Sequence, residues 1–109
     1  MKPPTELSIE LYLVKRVHEY GGIAEKYTSP GRRGVPDRIV LWPKGYVDFV
    51  EMKTATGKLT SLQRIDHSIR RQLGHAVFVL RTKADVDTYV NVGRLSYMGT
   101  RLLFDQLQS

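Results

Sequence analysis

At 109 residues the chain holds one compact domain, long enough to bury a core and too short for two. A charged fraction of 26% and an apolar fraction of 41% argue against long disorder, and the absence of cysteine excludes a disulfide framework or a thiolate metal site. Lys and Arg number 17 against 11 Asp and Glu, a net charge of +6 that favours a polyanionic partner, nucleic acid first. With no apolar run of bilayer length and no apolar leader at Met1 to Thr5, a soluble protein of a reducing cytoplasm, without a membrane partner, is expected.

Residues 6–20 read as a helix, because Ile9, Leu13, Val14 and Val17 recur near a period of 3.6 and Gly21-Gly22 supplies a stop. Residues 23–28 are a short candidate strand. The following 29–36, Ser-Pro-Gly-Arg-Arg-Gly-Val-Pro, is a loop carrying two arginines. Residues 37–42 and 46–54 are strand-like and flank the turn Pro43-Lys44-Gly45, so they form a hairpin. Thr60-x-x-Gln63 has capping-box spacing and opens a helix to about residue 73, with an apolar stripe of Leu62, Ile65, Ile69 and Leu73. The run Ala76 to Leu80 suits a central strand buried on both faces, and residues 83–90 form a short helix after a Thr82 cap. An antiparallel hairpin followed by a βαβ crossover predicts an α/β fold with a mixed sheet flanked by helices. The single domain spans 1–109, with its core at about 6–90. The tail 91–109 still carries Leu95, Met98, Leu102, Leu103, Phe104 and Leu107, and packs on its own sheet or serves as an interface element.

The hairpin sets Asp37 beside Glu51, and strand alternation puts Glu51 and Lys53 on one face while Met52 points away and leaves its carbonyl beside them. Hard divalent cations take one or two carboxylates and keep waters for a substrate phosphate, so this grouping suits phosphodiester hydrolysis. Lys53 would orient or deprotonate the attacking water, or neutralise charge building on the phosphate. The plainer alternative is an exposed Glu51-Lys53 pair and an Asp37 that merely starts a strand. Against it, both charges continue a face that Val47 and Phe49 make apolar, where an unpaired charge is costly.

Gly34-Val35-Pro36-Asp37, then Glu51-Met52-Lys53, then Gln63 resembles the virus-type replication-repair nuclease (VRR-NUC) domain of the PD-(D/E)xK superfamily, over roughly residues 9–90. The resemblance implies a restriction-endonuclease-like fold and a Mg²⁺ or Mn²⁺ cofactor, with no other small-molecule cofactor. It also implies cleavage of DNA to a 5′-phosphate, and a phage or mobile-element setting, hence a bacterial host cytoplasm. Free-standing members resemble homodimers acting on branched DNA. Carried over by position, the metal ligands are Asp37, Glu51 and the Met52 carbonyl, with Lys53 catalytic, Gln63 supporting and a first-helix glutamate taking part, matched best by Glu10, directly or through water.

Glu10 lies on or beside the buried helical stripe and needs a partner there, or else reaches solvent at its edge. Gln63 is explained equally by capping. Arg32 and Arg33 are placed to hold DNA phosphates, with Gly31 and Gly34 letting backbone approach. Arg38, Lys58, Arg64, Arg70 and Arg71 read as solvated, Trp42 as hairpin packing, and His18, His67 and His75 share no metal-ligand spacing. A non-catalytic nucleic-acid-binding module and a structural protein remain the competing readings. The intact Asp37, Glu51 and Lys53 weigh against the first, and a lack of metal binding by calorimetry would favour the second.

Overall fold

The computed structural model describes residues 3–95. Helix α1 (Glu6–Glu19) starts where the Thr5 hydroxyl accepts from Ser8 N at 3.1 Å, and it ends at Gly21, whose φ of +85° a side chain would resist. It is followed by β1 (Ile23–Lys26), β2 (Arg38–Leu41), a 3-10 turn at Pro43–Gly45, β3 (Val47–Met52), α2 (Ser61–Gln72), β4 (Ala76–Leu80) and α3 (Lys83–Leu95). The last helix runs further than the expected residue 90, and the rest of the tail lies outside the described residues.

The sheet order is β1-β2-β3-β4, antiparallel in the first two pairs and parallel between β3 and β4. The hairpin and the crossover are therefore as expected. The expected central strand β4 instead stands at the end of the order. Its continuous apolar run reflects helices over both faces, not strands on both edges.

One face carries Val40, Val50, Met52, Phe78 and Leu80, which form one buried cluster with Ile9, Leu13 and Val17 of α1 and Val86, Tyr89 and Val90 of α3. Each such side chain contributes roughly 1.5–3 kcal/mol by leaving water. Tyr12 and Arg16 of α1 both donate to Asp87 of α3, at 2.7 and 3.1 Å. Trp42 is core: its Nε1 donates to buried Asp48 Oδ2 at 3.0 Å, and the Tyr89 hydroxyl donates to the same oxygen at 2.8 Å.

Helix α2 covers the opposite face of the sheet and does so the wrong way round for its periodicity. Leu62, Ile65, Ile69 and Leu73 are exposed, whereas Asp66 and His67 are buried at 1% exposure. Polar chemistry between α2 and the sheet outweighs the apolar stripe. Arg70 bonds Asp66 Oδ2 at 2.7 Å, donates to the Tyr27 hydroxyl and lies over the Phe49 ring at 4.6 Å, so it is no solvated arginine. Nor is Arg71, which donates to Val77 O at 2.7 Å.

Candidate active site

The β2-β3 register pairs Arg38 with Val50 and Ile39 with Phe49. One step further, Asp37 stands opposite Glu51, and facing residues of an antiparallel pair share a side of the sheet. The turn Pro43–Gly45 holds that register, with Lys44 and Gly45 both at positive φ, 66° and 86°. Asp37 is then tied across the strands, because its Oδ2 accepts from Met52 N at 2.8 Å.

Glu51 is 1% exposed on the α2 side of the sheet. Burial, the adjoining Asp37 carboxylate and a smaller effect of Glu6 push its pKa up to about 9, while Lys53 pulls the other way. The pair is short of positive charge. Glu51 Oε2 accepts from Gln63 Nε2 at 3.3 Å, whereas no donor meets Oε1. Gln63 also completes the capping box: its Oε1 accepts from Thr60 N at 2.9 Å and its backbone N–H donates to the Thr60 hydroxyl at 3.1 Å. The cap and the site contact thus use the two ends of one amide.

Met52 has its side chain in the core at 1% exposure, and its backbone N–H is the group bonded to Asp37. Lys53 follows directly after β3, half-buried, with its backbone N–H bonded to Leu80 O at 3.0 Å. Two carboxylates and a lysine are therefore neighbours at the end of one hairpin. Among the described residues no group of three His, Cys, Asp or Glu forms a ready cage. A small hard cation that keeps several waters fits this donor set, and the raised Glu51 and its undonated oxygen mark where positive charge is lacking.

Glu10 is 9% exposed and pairs with Arg38, Nε to Oε1 at 3.3 Å, while Arg38 Nη1 donates to Ala24 O. Arg38 alternates with Asp37 and so points to the other side of the sheet; no hydrogen bond or ion pair joins Glu10 to Asp37 or Glu51. The first-helix carboxylate whose charge acts on Glu51 is Glu6, one turn earlier. Arg32 donates to buried Asp66, Nη2 to Oδ1 at 2.8 Å, and this bond fastens the loop before Asp37 to α2. Arg33 is exposed and has no ion pair among the described residues. Gly34 has φ +81°, and a Cβ there would stand 2.5 Å from Leu62 O, so its freedom serves close packing on the first turn of α2. His67, given no role from sequence, stands with Nε2 3.5 Å from Glu51 Oε1. Its position four residues after Gln63 was the available signal, since i and i+4 share a helix face.

No family model matches the sequence. The chain is 52% identical over 75 residues to "Putative nuclease p44" of Acyrthosiphon pisum secondary endosymbiont phage 1, an alignment that spans 69% of this chain and 81% of that protein. A solved structure described as "VRR_NUC domain" superposes with a TM-score of 0.75 at 32% identity, covering 79% of this chain and 94% of the other. Sequence and fold agree: this chain belongs to the VRR-NUC family and has its restriction-endonuclease-like α/β fold.

Proposed function

We propose that the chain is a Mg²⁺- or Mn²⁺-dependent endonuclease that hydrolyses DNA phosphodiester bonds, with branched or junction DNA as its substrate in phage or mobile-element replication and repair. The observation that carries this reading is the facing Asp37-Glu51 pair, with Glu51 raised to about 9 beside Lys53. Asp37, Glu51 and the Met52 carbonyl would hold the cation, and Glu10 or Glu6 would act on it only through water. When bound, the cation supplies Lewis-acid polarisation of the phosphate and a lower pKa for water. As a ligand Glu51 would be held in its carboxylate form. Lys53 Nζ donates to a non-bridging phosphate oxygen and offsets the charge that builds as water adds to phosphorus and the 3′ oxygen leaves. Gln63 holds Glu51 Oε2 in place, and Arg33 grips the DNA backbone.

The net charge of +6 supports DNA as the partner. The exposed stripe Leu62, Ile65, Ile69 and Leu73 supports a homodimer, because four large apolar side chains on one helix face form a patch that a second copy would cover. The decisive experiment incubates labelled flap, nicked, junction and linear DNA with wild type and Lys53→Ala over a range of Mg²⁺ and Mn²⁺. Metal-dependent cutting of branched substrates by wild type alone is expected. Uncut DNA throughout would leave a binding module on the same fold.

A further inference from the structure

Three buried polar atoms meet between α2 and β3 without hydrogen-bond partners: Glu51 Oε1, His67 Nε2 and His67 Nδ1. Both residues are 1% exposed, so bulk solvent does not reach them. A buried donor or acceptor left unpaired costs about 1–3 kcal/mol, and here the shortest remedy is each other, with Nε2 and Oε1 3.5 Å apart. That gap is a few tenths of an ångström beyond a formed bond, within reach of a small side-chain rotation.

We propose that His67 is a positioning residue whose Nε2–H donates to Glu51 Oε1, so that Gln63 and His67, one turn apart on α2, hold both oxygens of the carboxylate that receives the divalent cation. The proposal rests on the metal-dependent reading above. An imidazole N–H carried on Nε2 would face Glu51 Oε1 directly. A carboxylate oxygen can accept at more than one site, which leaves room for the cation beside these two donors. Outer partners of this kind orient the ligand, and their loss weakens metal binding by about 10–100-fold. The arrangement also accounts for the inverted face of α2: the positions that would carry core leucines carry Gln63, Asp66, His67 and Arg70 instead.

The test is calorimetric titration of Mn²⁺ into wild type, His67→Phe and His67→Gln, with melting temperatures in chelator as the control for folding. Phe fills the site without a donor, while the Gln amide places an N–H close to where Nε2 stood. About a tenfold or larger loss of affinity in His67→Phe, largely restored in His67→Gln, is expected. If His67→Phe binds Mn²⁺ as wild type does, or His67→Gln at an unchanged melting temperature binds no better than His67→Phe, His67 does not position Glu51, and the nuclease reading stands. If wild type binds no Mn²⁺, the metal-dependent reading falls and takes the inference with it.

Discussion

Glu51 gives the metal-free protein an unusual dependence on pH. Its folded pKa of about 9 lies far above the ordinary 4.5. Between those values the folded chain keeps a proton that the unfolded chain has released, so stability is greatest at low pH and falls as pH rises, by about 1.4 kcal/mol per unit for one group. From pH 7 to 8.5 the loss is roughly 2 kcal/mol, on the order of 10 °C in Tm for a domain of this size. His67 has the opposite sign: its lowered pKa withholds stability only at and below about pH 6.5, where the unfolded imidazole gains its proton. Working above pH 7 therefore isolates Glu51. Thermal or urea midpoints in chelator should show wild type losing stability across this window and Glu51→Gln, which keeps shape without a titratable proton, holding level. Added Mn²⁺ should stabilise wild type increasingly as pH rises, because the ion must displace that proton. Parallel curves for the two proteins in chelator would refute the account of a charge-starved carboxylate pair.

The two loop arginines should separate. Arg33→Ala should leave Tm unchanged and lower DNA affinity, with a salt dependence smaller by about one phosphate contact, as read by binding isotherms at several salt concentrations. Arg32→Ala should instead lower stability by about 1 kcal/mol, since Asp66 loses one of two arginine partners, as measured in a urea melt. Gly34→Ala should disturb the loop and abolish cleavage, because its Cβ would overlap Leu62 O and φ is +81°; a fully active, stable variant would show that the loop does not need this approach. Tyr89→Phe should cost about 1–3 kcal/mol by withdrawing a donor from buried Asp48, with DNA cleavage at low temperature unaffected.

The hairpin face was legible in the sequence because its determinants are local. A tight turn sets one register, and a period of two then decides that Asp37, Glu51 and Lys53 share a side while Met52 does not. The capping box at Thr60 and Gln63 was legible for the same reason. Periodicity misled where polar contacts outweighed apolar burial: the stripe of Leu62, Ile65, Ile69 and Leu73 turns outward while Asp66, paired with Arg32 and Arg70, and His67 turn inward.

Nothing near Glu10 in sequence announces Arg38, 28 residues on, nor does anything near Arg32 announce Asp66, 34 residues on. Composition and local spacing thus determined the elements, the mixed sheet and the carboxylate pair. Only the tertiary structure decided which face of α2 meets the sheet, which arginines are occupied by buried acids, and that a histidine stands against Glu51. Those outcomes depend on desolvated charges finding partners distant in sequence, and a buried charge without a partner costs more than a leucine left in water.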